Sequence, residues 1–176
     1  DASIENAIHC WCLLLHLGIK PPAIEKKMRT LRAVAMRLEL KQGINHCSVI
    51  NDSYSADINS LKIALDFLLQ QRQHEKHTVI LSDILQSGKS ENELYSEVAD
   101  SLQQRKINRL IGIGDRITQH QNTFQQVPNL ETFFYRTVEA FKNDFKHLHF
   151  KDETILLKGA RVFAFEQIDH LLEQKI

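Results

Sequence analysis

The sequence predicts an α/β fold: a doubly wound, mainly parallel sheet with helices on both faces, preceded by a short helical segment. Three observations predict it. Short apolar runs at residues 47–50, 78–81, 110–113 and 154–157 alternate with stretches of helical spacing, the pattern of βαβ units. The helical stretches between them run to about 10–15 residues, the length of crossover helices that cover a parallel sheet on both faces. Residues 1–40 lie outside the alternation and read as helical.

Taken in order, residues 3–17 are apolar nearly all round and read as a buried helix, with Gly18 at its C-terminal cap. Pro21 and Pro22 open a second helix, where a missing N–H does no harm. It runs to about Leu31 and carries a solvated basic face of Lys26, Lys27, Arg29 and Arg32. The first strand run ends in Asn51-Asp52, and Leu61, Ala64, Leu65 and Leu68 then follow at spacings of three and four. Residues 70–77 are polar enough for a surface loop before the second strand at 78–81. Leu94, Val98 and Leu102 mark the next helix, and the third strand closes on Gly114-Asp115. A weaker run at 132–135 precedes a helix near 138–145, and 154–157 and 163–172 give the last strand and helix. The handedness rule then leaves a three-layer, doubly wound domain as the default topology.

Composition narrows the function. With 43% apolar and 25% charged residues the chain has a globular balance, and 22 basic against 22 acidic side chains give a formal net charge of zero. That excludes a global pull toward nucleic acid or anionic membrane. The longest apolar stretch, residues 7–17, is too short for membrane insertion. Three scattered cysteines (Cys10, Cys12 and Cys47) read as small buried apolar residues of a reducing compartment, which places the chain in the cytoplasm. It opens on Asp1 directly in a helical pattern and so reads as a piece of a longer polypeptide.

In open α/β sheets ligands bind at the carboxyl ends of the strands. Those ends deliver Asn51, Asp52, Ser53 and Tyr54; Ser82 and Asp83; Gly112, Gly114, Asp115 and Arg116; and Lys158, Gly159 and Arg161. Lysine and arginine around a glycine beside a helix start make an anion site, or equally a tight turn with solvated charges. Gly112-x-Gly114 lacks the third glycine of a dinucleotide fingerprint, and no Gly-x-x-x-x-Gly-Lys-Ser/Thr occurs in the chain. His74 and His77 flank a polar loop without the cysteines or carboxylates of a metal site. No serine or cysteine has a histidine partner suggested by the sequence, so nucleophilic catalysis has no support.

Three segments carry a family resemblance: Ala35-Met36-Arg37-Leu38-Glu39, Ile50-Asn51-Asp52-Ser53-Tyr54-Ser55-Ala56-Asp57-Ile58-Asn59-Ser60-Leu61, and Leu156-Leu157-Lys158-Gly159-Ala160-Arg161. In order and spacing they resemble the Mur ligases, in particular those that join D-alanyl-D-alanine to UDP-muramoyl tripeptide. The second segment is close to the family's Asn-Asp-Ser-Tyr-Asn-Ala-Asn-Pro-x-Ser-Met and is the most specific. Ser3-Ile4-Glu5-Asn6-Ala7 stands where the family has Asn-x-x-Asn-Ala. Ser3, Ser55, Ile58 and Ala160 depart from the family pattern, as does Ala35 or Met36 where a glycine is common.

The resemblance implies a Rossmann-like final domain, residues 41–176, behind the last helices and hinge of a central ATPase domain, residues 1–40. It implies ATP and Mg2+, bound mainly by that central domain, and an amino-terminal domain for the UDP-sugar. ATP would activate the tripeptide carboxylate and the dipeptide amine would displace phosphate, with water excluded by closure. Asn6 would contact the adenine, Arg37 the phosphates, and Asp52 with Tyr54 the ribose and base side. Ser53, Lys158 and Arg161 would face substrate. One branch of these ligases is fused to an alanine racemase, which makes a structural coupling module one alternative. A receiver domain phosphorylated at Asp83, with Asn51-Asp52 and Lys158 around it, is the other.

Overall fold

The computed structural model describes residues 2–30, 37–85 and 87–173. The chain divides into two compact units, residues 1–34 and 35–176.

The first unit holds two helices, α1 (Ala2–His16) and α2 (Pro21–Met28). Gly18, at φ 79°, ends α1: its amide donates to Leu15 O at 3.0 Å and that of Ile19 to Leu14 O at 3.0 Å, the paired bonds of a Schellman cap. Burial of α1 all round is not observed. Ile8, Leu13, Leu15 and Leu17 are 42–65% exposed, because a helix apolar on every side needs several neighbours and its own unit supplies one. Cys10 and Cys12, expected inside, are exposed on the same helix; Cys47 is fully buried, and all three are free thiols. Ala7, Ile8, Trp11, Cys12 and Met28 line an apolar concavity of about 290 Å³. Leu31, Arg32, Ala35 and Met36 lie outside the described residues.

The second unit is built on a six-stranded sheet of order β1-β2-β6-β3-β4-β5. Its strands are β1 (Glu39–Gln42), β2 (Ser48–Asp52), β3 (Lys76–Ser82), β4 (Arg109–Ile113), β5 (Glu131–Tyr135) and β6 (Glu153–Lys158). All neighbours pair in parallel except β1 and β2, which are antiparallel. The helices are α3 (Ile58–Gln70), α4 (Glu91–Gln104), α5 (Asp115–Gln119), α6 (Gln121–Gln125), α7 (Val138–Asp144) and α8 (Glu166–Leu172). The doubly wound expectation therefore holds, and each strand run divides its side chains between two cores as the pleat requires. Ile50, Val79, Leu81, Leu110 and Leu156 pack with Leu61, Leu65 and Leu68 of α3 and with Val98 and Leu102 of α4. Val49, Ile80, Ile111, Ile155 and Leu157 face the other way, onto Phe141 of α7 and Ile168 and Leu172 of α8. Each such side chain contributes roughly 1.5–3 kcal/mol relative to an exposed position.

Four local outcomes differ from the sequence reading. Glu39 and Leu40 belong to a strand rather than to the leading helical stretch. This polar edge strand is fixed by its hairpin partner and by Lys41, whose ammonium reaches Asp169 at 2.6 Å and Glu173 at 2.8 Å. Strand β3 starts at Lys76, inside the expected 70–77 loop, because its main chain pairs with β6 from Glu153 onward. Between β4 and β5 lie the short helices α5 and α6, which the sequence reading did not contain. Helix α8 begins at Glu166 rather than 163, since a 3₁₀ turn over Arg161–Phe163 and left-handed Ala164 (φ 50°) come first.

Candidate functional site at the carboxyl ends of the strands

Insertion of β6 between β2 and β3 places three strand ends side by side on one edge of the sheet. There Asp52 and Lys158 are register partners, and the Lys158 ammonium donates to Asp52 Oδ2 at 2.7 Å. The Lys158 side chain is only 1% exposed and that of Asp52 14%. Burial pushes the Asp52 carboxyl up; the charge and hydrogen bond of Lys158, the Leu38 amide and the charge of Arg37 oppose that push.

The Asp52 neighbourhood extends to the segment that enters β1. The Arg37 guanidinium lies 4.7 Å above the Tyr54 ring, a cation–π arrangement, and Tyr54 itself is 42% exposed. Tyr54 projects outward because the turn before it is closed from inside. The Asn51 side-chain oxygen accepts the Ser53 hydroxyl at 2.6 Å and the Ser53 amide at 3.2 Å, an Asx turn. Ser53 is thus fully buried and its hydroxyl is engaged. Three residues beyond Tyr54, Asp57 caps α3, accepting the Asn59 and Ser60 amides at 3.0 and 2.9 Å while the Ser60 hydroxyl closes a capping box. Against its partial burial, the Ser60 hydroxyl and amide and the Lys158 charge hold the Asp57 carboxyl below the usual range.

After β6 the chain turns sharply. Gly159 carries the Phe165 ring where a Cβ would stand, 2.6 Å from the nearest ring atom. The Ala160 amide donates to Ser82 Oγ at 2.9 Å, which ties this turn to the end of β3. Arg161 follows, exposed, and among the described residues it has no acidic partner.

Asp83, the residue on which a receiver reading depends, is differently occupied. It is 5% exposed, and its carboxylate accepts the Ile117 amide at 2.8 Å and the Arg116 amide at 3.2 Å, with the Tyr95 hydroxyl at 3.4 Å. Both oxygens fasten the start of α5, and Gly114 at φ 138° leaves the space they need. Asp83 thus holds the start of α5 from a nearly buried position, unlike an acceptor aspartate presented to solvent.

Of the residues picked out from the sequence, Arg37, Asp52, Tyr54 and Lys158 converge, Arg161 lies on the same edge of the sheet, and Ser53 is buried beneath it. Asn6 is exposed on α1 in the other unit. Sequence reasoning missed the Leu38 amide and Asp57. The latter left a trace in the spacing Asp57-x-x-Ser60 ahead of an apolar helix. Among the described residues no group of three or more His, Cys, Asp or Glu could hold a metal ion, and no helix is long and apolar enough to cross a membrane.

Residues 36–161 match the family model for the Mur ligase, glutamate ligase domain. The chain is 29% identical over 112 residues, 64% of its length, to the UDP-N-acetylmuramoyl-tripeptide--D-alanyl-D-alanine ligase of Bacillus subtilis. It is 23% identical over 172 residues, 98% of its length, to the enzyme of the same name from Escherichia coli. It spans 24% and 37% of these two relatives. Among solved structures it superposes on MurF from Acinetobacter baumannii with a TM-score of 0.76 at 22% identity, covering 99% of this chain and 38% of that one. MurF from Thermotoga maritima in complex with ADP gives a TM-score of 0.60 at 15% identity, over 91% of this chain and 35% of that one. Fold and family match agree: this chain belongs to the Mur ligase family and contains its glutamate ligase domain.

Proposed function

We propose that residues 35–176 act as the last domain of an ATP-dependent ligase that adds D-alanyl-D-alanine to UDP-N-acetylmuramoyl-tripeptide, and that residues 1–34 are the closing helices of its central ATPase domain. The observation that carries this reading is the convergence of Arg37, Tyr54, Asp52 and Lys158 at the strand ends. It is supported by the named activity of the relatives in Bacillus subtilis and Escherichia coli. A cytoplasmic enzyme of peptidoglycan precursor synthesis follows from the same reading, inactive without the domain that holds the P-loop and Mg2+.

The residues present fit a nucleotide. Tyr54 offers an exposed aromatic face, Arg37 a guanidinium beside it, and Asp52 a carboxylate able to accept ribose hydroxyls. When bound, ATP supplies the phosphoryl group that activates the tripeptide carboxylate toward the dipeptide amine. Arg37 is assigned to the phosphates, where a fixed cation stabilises developing charge. Tyr54 and Asp52 hold the base and ribose side, Asn6 the adenine, and Arg161 the anionic end of the incoming dipeptide. Ser53 shapes the loop from below, its hydroxyl engaged by Asn51. Lys158 lies behind Asp52. Placing Arg37, Asp52, Tyr54 and Arg161 on a domain separate from the P-loop makes the assembled site depend on closure, which also keeps water from an activated carboxylate.

The test uses the complete polypeptide, UDP-muramoyl tripeptide and D-alanyl-D-alanine, with ADP release as the readout. Dipeptide-dependent release in wild type that falls by about 100-fold or more in Arg37→Ala is the expected result. A folded wild type with no dipeptide-dependent release overturns the reading. The alternative of a module that merely couples a ligase to a fused alanine racemase predicts unchanged release in Arg37→Ala.

A further inference from the structure

The segment entering β1 meets the site in an uncommon backbone state. Strand β1 pairs with β2 as far as Glu39 opposite Asn51, so one step earlier in the chain Leu38 lies across from Asp52. Leu38 is left-handed there, at φ 49°, a conformation disfavoured for any residue with a Cβ. The ladder stops, and the Leu38 amide stands opposite the Asp52 carboxylate, whose charge it helps to stabilise. From the other side Lys158 donates to Asp52 Oδ2 at 2.7 Å. One residue before Leu38, the Arg37 guanidinium lies over Tyr54. With 1% of its side chain exposed, Lys158 has no open face for a dipeptide or a phosphate.

We propose that Lys158 is a positioning residue: through Asp52 it holds Leu38 in its left-handed turn and so sets Arg37 over Tyr54. The proposal deepens the ligase reading, on which only its kinetic consequence rests. A lysine serving merely to join β2 to β6 is not needed, because those strands are already paired from Ser48 opposite Thr154 onward. Without its cation, a largely buried carboxylate either takes up a proton or turns toward water. In both cases it accepts the Leu38 amide less well, and the turn relaxes toward extended backbone. Arg37 then leaves its place over Tyr54.

Two arms test this, and they fail separately. In the 176-residue chain, amide hydrogen exchange at Leu38 is compared between wild type and Lys158→Met. Exchange at Leu38 should speed up by about tenfold while amides of β3, β4 and β6 keep their protection. If Lys158→Met does not fold, the double variant Asp52→Asn/Lys158→Met removes both charges and should show the same local loss, since a neutral oxygen makes the weaker bond. Unchanged exchange at Leu38 in a folded variant overturns the proposal.

In the complete ligase, Lys158→Met should raise KM for ATP about tenfold with a smaller change in kcat. Adding Leu38→Gly should restore most of the loss, because glycine takes positive φ without the steric cost. A loss that glycine does not relieve points to direct ligand contact by Lys158 and sinks the proposal. A wild type inactive as a ligase sinks the functional reading, and the exchange arm still decides the role of Lys158.

Discussion

Two buried cation–carboxylate pairs sit at opposite ends of the same sheet, and they are built differently. At the amino ends of the strands, Arg109 of β4 reaches across β3 to Glu153 of β6, with both carboxylate oxygens at 2.6 and 2.7 Å from one guanidinium nitrogen. The Arg109 side chain is 3% exposed and that of Glu153 fully buried. Thr78 receives the Arg109 Nε bond at 3.1 Å and itself donates to Glu153, and the Leu148 carbonyl takes a further guanidinium N–H at 2.7 Å. Phe150 covers the guanidinium face at 4.7 Å. At the carboxyl ends, Asp52 and Lys158 form one bond at 2.7 Å, and around them stand an exposed tyrosine, a stacked arginine and a second arginine that has no acidic partner among the described residues. The saturated pair has nothing left to offer a ligand and serves the architecture. The pair with exposed neighbours lies where chemistry is possible.

The largest way to break that contrast is Glu153→Gln, which strands Arg109 in the interior. Removing one member of a buried pair costs about 3–5 kcal/mol, so the urea midpoint of the chain should fall sharply. A loss below about 1 kcal/mol would mean that the amino-edge network is no more committed than a surface pair. Next comes Gly114→Ala, whose Cβ would lie 2.3 Å from the Asp83 carboxyl carbon at a φ of 138°. It should cost about 2–3 kcal/mol, and a structure of the variant should show Asp83 displaced from the start of α5.

Closer to the site, Asp57→Ala removes the cap of α3 at a cost of about 1 kcal/mol near neutral pH. The sign of its pH dependence follows from the direction of the shift. The folded Asp57 carboxyl lies below its unfolded value, so its contribution is present above the unfolded value and is lost as pH falls through the folded one. Denaturation curves of wild type and variant should therefore converge in acid. The smallest effect on folding is expected from Tyr54→Ala. Its half-exposed ring should shift stability by less than about 0.5 kcal/mol, yet calorimetric titration of the complete protein should show weakened nucleotide binding. A Tyr54 variant that unfolds the chain would erase the distinction between the two edges.

The strands were legible wherever both faces are buried. Val79-Ile80-Leu81 and Ile155-Leu156-Leu157 are apolar at every position because each residue has a core to enter. Strand β1 was not, because Glu39-Leu40-Lys41-Gln42 carries no such pattern and owes its conformation to a partner strand and to acids more than a hundred residues away. The site was legible only through short motifs. Nothing local to Asp52 announces Lys158, 106 positions later, as its register partner. Nor does a serine in a polar loop reveal that its hydroxyl turns inward to Asn51. The Arg109–Glu153 pair was invisible for a further reason: its members stand on strands that are not neighbours, and only the insertion of β6 beside β3 brings them within reach.

That insertion has a consequence for biosynthesis. The strand that fills the middle of the sheet is the last of the six to leave the ribosome. Until residues 153–158 emerge, β2 and β3 each present an open edge, and neither buried pair can form. The domain cannot assemble vectorially from its amino end. A nascent chain stalled before residue 153 should be prone to strand-edge association and to capture by chaperones, whereas a few residues more should let the sheet close in one cooperative step.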